Sequence, residues 1–373
     1  MQTKFIQVLL FLVVSTTVIA QRANQNQNEK RKIQVAILFD TSGSMNGLLN
    51  QAKTRIWGII NTLTTFRYNG ENPAFEFALY DYGNSTIPAT DNYVRQITPF
   101  TTDLDLISSK LFGLSTNGGQ EYCAAVIETS LDDLEWSKDN RDMKLIYIAG
   151  NEPFNQGPID YKLILKKAKN NGVFVNTIYC GPYEQGVKDL WYDGSLLSDG
   201  KYLNIDQNKQ IEIAKTPYDD SIRVLNDRLN KTYISFGTEG KLKKMDQIQQ
   251  DSNALSASPS SSLERTISKS SKAYKNSSWD LVDYVSNQED AFDHISDQDL
   301  PVELMGKSKE EKEEFVLKLT NERSAVQLQI SNLAQLRKSF IELEMKNSEV
   351  KDDFGNAVTN SLIELGLKMN YTQ

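Results

Sequence analysis

The sequence predicts an α/β fold, a doubly wound and mainly parallel sheet flanked by helices, joined to an all-α C-terminal region. Three observations carry that expectation. Ile33 to Phe39 is a near-continuous apolar run rich in branched residues, which is how a strand buried on both faces of a parallel sheet reads. Runs of this kind then alternate with segments of helical period from Lys32 to about Gly240. Beyond Gly237 the strand-like runs stop and polar, helix-period patterns take over.

The first strand breaks abruptly into Asp40-Thr41-Ser42-Gly43-Ser44-Met45. That turn lies at the strand's C-terminal edge, where open α/β sheets place their ligand sites. Asp40, Ser42 and Ser44 alternate, so a carboxylate and two hydroxyls can converge on one point. All are hard oxygen donors, suited to Mg²⁺ or Ca²⁺ (or Mn²⁺) and not to zinc. The alternative is a turn in which Asp40 and Ser44 only satisfy backbone N–H groups and cap the next helix.

The following elements are expected in order. Leu49, Ala52, Ile56, Ile59, Ile60 and Leu63 recur at helical spacing, giving a helix whose N-terminus points at the turn. Ala74–Tyr82 is the second strand, and Tyr93–Phe100 a short antiparallel edge strand. Leu104 to Leu114 marks a short helix, and the Gly118-Gly119 loop leads into another that runs to about Leu134. Lys144–Ala149 is a buried strand, Tyr161–Asn171 a basic helix capped by Gly172, and Val173–Tyr179 a β-branched central strand. A helix over Val187–Leu197, a last strand over Lys201–Ile205 and a helix from Pro217 to Ile234 close the series.

The DTSGS segment after a hydrophobic strand resembles the DxSxS motif of the von Willebrand factor A-type domain, also called the I domain. The order of elements from Lys32 to about Gly240 extends the resemblance. It implies a Rossmann-like domain with a metal-ion-dependent adhesion site: a weakly held Mg²⁺ (or Ca²⁺ or Mn²⁺) whose coordination a protein partner's carboxylate completes. In that family a loop after a Gly pair adds a further contact, most often from Thr. Here Gln120 and Glu121 follow Gly118-Gly119, so Glu121 is the candidate ligand and Thr116 the second choice. A helix-start acid that only meets the helix dipole is the alternative for Glu121. The family also ends its next strand with Thr-Asp-Gly. This chain has Ala149-Gly150-Asn151-Glu152-Pro153, so the acid is missing at Gly150: either Asn151 or Glu152 stands in, or the site is weak, or it is vestigial.

Composition narrows the setting. The chain has 373 residues and a formal charge of −8, which argues against a general nucleic-acid surface. Residues 1–20 read as a signal peptide, with Lys4, an apolar Phe5–Val14 core and a cleavable Val18-Ile19-Ala20, so that no transmembrane span is expected after cleavage. Residues 21–31 read as a flexible lead-in, and the protein as exported, periplasmic or secreted. Two cysteines in an exported chain, Cys123 and Cys180, favour a disulfide, with buried free thiols as the alternative. Sequons begin at Asn84, Asn230, Asn276 and Asn370.

Residues 241–272 read as a linker with helical pieces, broken at the Ser/Pro-rich 256–262, and 273–373 as a helical region. Within it, Ser278 is expected to cap a short helix that buries Trp279, and Ser308 to Glu311 forms a capping box. Phe315, Leu319, Val326, Ile330, Leu333 and Phe340 form a stripe near heptad spacing. It fits an antiparallel hairpin within the chain, or a coiled coil through which the protein self-associates or pairs with another.

Three functions fit these features. The first is a binding module whose affinity combines the ion with loop surface such as Tyr122, Phe154 and Tyr183. The second is a metal-independent scaffold assembling through its C-terminal helices. The third is a phosphatase of the haloacid dehalogenase type, in which Asp40 would be a nucleophile. That enzyme needs a second carboxylate two residues on, where this chain has Ser42. The single histidine, His294, excludes a Ser-His-Asp set in the first domain, and no enzymatic activity is expected.

Overall fold

A computed structural model describes residues 30–46, 48–206, 215–347 and 353–373. The expected signal peptide (1–20) and most of the lead-in (21–31) lie outside the described residues. β1 (Lys32–Asp40) occupies the middle of the sheet because its side chains suit burial on both faces. Ile33, Val35, Ile37 and Phe39 enter one core, while Ala36 and Leu38 enter the other, the period-two alternation of a strand between two layers.

Among the described residues, six strands form the main sheet in the order β4-β3-β1-β5-β6-β7. β3 (Ala74–Tyr82), β5 (Met143–Gly150), β6 (Val173–Tyr179) and β7 (Tyr202–Asn204) run parallel to β1. β4 (Val94–Thr101) is the antiparallel edge strand that the sequence predicts. The chain leaves β1 for β3 on one side and later returns to β5 on the other. β1 is therefore the switch point, and its C-terminal end opens a crevice. α1 (Leu49–Thr64), α2 (Leu104–Gly113) and α7 (Asp219–Lys231) cover one face, while α3 (Cys123–Asp133) and α4 (Tyr161–Asn170) cover the other. The small strand β2 (Arg67–Tyr68) pairs with β8 (Tyr371–Thr372) near the opposite end of the sheet. There the Tyr371 hydroxyl donates to the carbonyls of Lys32 and Arg141, at 3.2 Å each.

The structure departs from the sequence reading in five places. The segment expected as one helix over 187–197 is split into α5 (Tyr183–Lys188) and α6 (Trp191–Leu197) by Leu190, whose φ is 68°. The turn drives Trp191 into the core against Phe154 and Tyr179, and its indole N–H donates to the Glu152 carbonyl at 2.7 Å. Cys123 and Cys180 are both buried and free, so the expected disulfide is absent. Both lie near the same end of the sheet, but Cys123 belongs to the α3–α4 core and Cys180 to the α1 core, on opposite faces.

Residues 241–272 do not form a linker. α8 (Gly240–Ala257) and α9 (Pro259–Ser270) pack on the first domain, and the Ser/Pro break is the start of α9. Ser258 Oγ accepts from the Ser261 N–H at 2.9 Å, and Pro259 takes the first turn, where it loses no hydrogen bond. α9 binds α1 through Thr54–Ser261 and Asn61–Glu264, at 2.5 and 2.6 Å. Trp279 is buried as expected, yet Asp280 and not Ser278 caps α10 (Leu281–Ser286), accepting from the Asp283 N–H at 2.9 Å.

The Ser308 capping box holds: Ser308 Oγ accepts from Glu311 N–H and Glu311 Oε2 from Ser308 N–H, at 3.2 and 2.8 Å. α11 (Lys309–Asn347) then packs on α7, α9 and α10, while α12 (Asp353–Lys368) packs on α1 and β8, so they do not form the expected hairpin. The heptad-like stripe faces this chain's own cores. Val326 and Ile330 are fully buried, Phe315 and Leu319 join Leu281 and Leu304, and Phe340 meets the Tyr218 ring. That stripe is therefore not presented to a second chain as a coiled-coil seam. Among the described residues no helix is long and apolar enough to cross a membrane.

Buried ion pairs join the two halves. Arg265 on α9 binds Asp105 and Asp251 at 2.7 Å each, and Lys269 binds Asp251 at 2.6 Å. Arg323 on α11 binds Asp280 and Asp283 at 2.7 and 2.6 Å and donates to Thr232. Arg337 binds Asp219 and Glu264 at 3.1 Å each.

Candidate metal centre at the end of the central strand

Asp40 is the last residue of β1 and is 0% exposed. Its Oδ1 accepts from the Ser42 backbone N–H at 2.7 Å, which turns the chain sharply outward. Its Oδ2 is buried with no hydrogen-bond partner. Burial pushes the carboxyl up to about 7 against the Ser42 hydrogen bonds, with the Glu121 charge adding to the rise. A buried acceptor left bare costs free energy and marks a place where something else binds.

The turn continues as a short 3₁₀ segment over Gly43–Met45 that leads into α1. Ser42 Oγ and Ser44 Oγ lie 2.9 Å apart, and Ser44 Oγ donates to Asn151 Oδ1 at 2.8 Å. The Ser42 and Ser44 hydroxyls thus meet, and Asn151 joins them.

Glu121 reaches the same place from the Gly-Gly loop. A methyl group built on Gly83 would lie 2.9 Å from Asp40 Oδ1, 3.0 Å from Glu121 Cγ and 3.5 Å from Ser42 Cβ. Both acidic side chains thus close over one bare glycine, whose φ of 78° already disfavours a side chain. The Glu121 carboxyl is held above its ordinary value by burial first and by the Glu152 charge second, with the Ser42 hydroxyl working the other way. Glu152 is close enough to act through its field, and its backbone carbonyl is occupied by Trp191. Thr116 hydrogen-bonds to no site group among the described residues. Its neighbour Asn117 instead ties the loop to the Thr41 carbonyl at 2.9 Å.

The missing acid at Gly150 has a steric cause. A methyl group there would lie 2.5 Å from the Tyr82 hydroxyl, 3.0 Å from Trp191 and 3.1 Å from Asp40 Cβ. Tyr82 and Trp191 fill the space, and Glu121 supplies a second carboxylate from the other side. Around the rim, Tyr183 is 48% exposed and Tyr122 is half-buried beneath Tyr93. Phe154 is 0% exposed and packs on Tyr161 and Trp191, so it contributes no loop surface.

Among the described residues no three His, Cys, Asp or Glu side chains cluster as a metal site. The donor set is instead two carboxylates, two hydroxyls and one carboxamide. Sequence reasoning missed Asn84 and Gly83, which hold the loops together. The Gly-Asn pair ending a strand was the available signal, and it reads equally as an ordinary turn.

The strand order and the parallel sheet with one antiparallel edge make a doubly wound, Rossmann-like fold of the kind that von Willebrand factor A-type domains have. Neither a protein-family profile nor the sequence of a curated protein matches the chain. Solved structures are similar to about half of it. The SpRpn10 VWA domain is 16% identical with a TM-score of 0.37, over 48% of this chain and 90% of that one. BatB of Bacteroides thetaiotaomicron is 15% identical with a TM-score of 0.35, over 47% and 90%. The pilus adhesin SpaC of Lactobacillus rhamnosus GG is 12% identical with a TM-score of 0.35, over 48% of this chain and 28% of the adhesin. At these identities the likeness is one of fold.

Proposed function

We propose that this protein is an exported, non-enzymatic binding module that engages a protein partner through a divalent cation, Mg²⁺ first among Mg²⁺, Ca²⁺ and Mn²⁺. The observation that carries the reading is Asp40 Oδ2, a fully buried carboxylate oxygen with no partner, beside two converging hydroxyls and a second carboxylate. Hard oxygen donors of this kind fit such an ion. Asp40, Ser42, Ser44 and Glu121 would hold it, with Asn151 orienting Ser44 and Glu152 adding negative field. When bound, the ion supplies a positive centre to which a partner's carboxylate is drawn. Asp40 and Glu121 together bring the two negative charges that balance a divalent ion, so Glu121 offsets the acid absent at Gly150. The pilus adhesin among the similar folds is consistent with a binding role. A phosphatase reading is disfavoured because Ser42, two residues after Asp40, engages Ser44 and cannot act as a general acid.

Calorimetry of the full chain with Mg²⁺ tests the reading. Binding should be abolished by Asp40→Ala and weakened by Ser42→Ala, with the thermal transition retained. Mg²⁺ at a hundredfold excess over its Kd should stabilise the chain by about 2.7 kcal/mol. No binding and no shift in Tm would leave the site a relic.

A further inference from the structure

Asn84 is buried at 4% exposure and uses every hydrogen-bonding capacity of its carboxamide. Its oxygen accepts from the backbone N–H and hydroxyl of Thr86, at 3.0 and 2.7 Å, closing its own turn. Its nitrogen faces outward to two other loops, donating to the Ser115 carbonyl at 3.1 Å and to the Thr41 carbonyl at 3.3 Å. The Thr41 hydroxyl lies 3.4 Å away as a further acceptor. One side chain thus joins the loop after β1, the loop after β3 and the loop before α3.

The contacts around it explain why that junction matters. The Asn117 N–H shares the Thr41 carbonyl, so the 115–121 loop is pinned at its start. Two residues later the backbone of Gly119 lies flat on Gly83, where a methyl group would come within 2.1 Å of the Gly83 carbonyl oxygen. Glu121 then emerges over the other side of Gly83, against Asp40. Asn84 is thus bonded to the start of the loop whose far end carries Glu121 to Asp40.

We propose that Asn84 is a positioning residue: its carboxamide nitrogen clamps the 115–121 loop so that Glu121 is presented to the divalent cation beside Asp40. The assignment rests on the metal-binding reading above. In the folded chain the amide that glycosylation of this sequon would use is buried and bonded.

The test is Mn²⁺ binding by the full chain, measured for the unaltered protein, Asn84→Asp, Asn84→Ala and Thr86→Ala, alongside thermal melting and amide exchange. Asn84→Asp keeps the acceptor for Thr86 but loses both donors to the other loops, whereas Thr86→Ala touches only the local turn. Both Asn84 variants should weaken Mn²⁺ binding about tenfold or more, as losing the support of a ligand typically does. They should also speed exchange over residues 117–121, while Thr86→Ala leaves affinity within twofold. Should neither Asn84 variant fold, the unaltered protein carries the test through the Asn84 side-chain amide protons. These should exchange slowly and broaden when Mn²⁺ is added, and exchange at the rate of a free amide would overturn the assignment. No Mn²⁺ binding by the unaltered protein defeats the metal reading and the assignment together. Binding that survives Asn84→Asp within twofold defeats the assignment of Asn84 alone.

Discussion

Two regions of this molecule bury charge, and they do so in opposite ways. In the seam between the sheet and the helical layer, Asp105, Asp251 and Asp280 each meet an arginine, Asp251 meets Lys269 as well, and none of these charged atoms lacks a partner. Although burial works to raise it, the Asp251 carboxyl is held well below the usual carboxylate range by the Lys269 and Arg265 charges. At the end of β1, Asp40 is fully buried but meets no cation, and one of its oxygens is bare. Burial therefore drives its carboxyl up, not down. The difference teaches how to separate a structural charge from a binding one. The first is complete within the chain, and the second leaves a buried carboxylate oxygen with no partner in the chain, which the proposed ligand would engage.

The largest effect should come from breaking the complete region. Arg323→Ala leaves Asp280 buried without its cation, and urea unfolding should show a loss of about 3–5 kcal/mol. A loss below 1 kcal/mol would mean that water reaches the seam and that the pairing carries little.

At Asp40 the same kind of change should act in the opposite direction. Its folded-state value, about 7, stands above the ordinary 3.8. The group's contribution to stability is thus fully present below about 3.8 and is lost as pH rises through about 7. In metal-free buffer Asp40→Asn escapes that loss, so at pH 8 it should be the more stable protein by about 2–4 kcal/mol. The gap should close as the pH approaches 4. Equal stabilities at pH 8 would show that Asp40 is already neutralised within the chain, which would remove the contrast between the regions.

A smaller effect is expected from adding even a methyl group at Gly150, where the resemblance leads one to expect an acid. Gly150→Ala should destabilise by about 1–3 kcal/mol, because Tyr82 and Trp191 must move. If the melting temperature of this variant matched the parent's, the steric account of the missing acid would be wrong. The smallest effect concerns the thiols, whose pKa values burial pushes far up. Native protein should resist iodoacetamide at both cysteines and react fully in denaturant, and treatment with reductant should leave its Tm unchanged.

Much of the fold was legible from residues alone. The run Ile33–Phe39 determined a strand buried on both faces, and each later apolar run determined its own strand, because side-chain period is a local property. Ser42 and Ser44 could be placed together from their spacing in one turn, and their hydroxyls meet. Ser308 and Glu311 likewise needed only their spacing. Other features depended on which distant segments came into contact, and only the tertiary structure decided them. Cys123 and Cys180 look like a pair until the sheet is seen to lie between them. The Ser/Pro stretch before Leu263 reads as a linker until α1 offers it a face to dock on. Glu121 and Thr116 were both reasonable ligands from the same loop. The sequence ranked Glu121 first, but that its side chain lies next to Gly83 beside Asp40 depends on Gly119 resting on Gly83, a contact between residues far apart along the chain. Local pattern determines what an element is, and long-range packing decides which of its atoms meet.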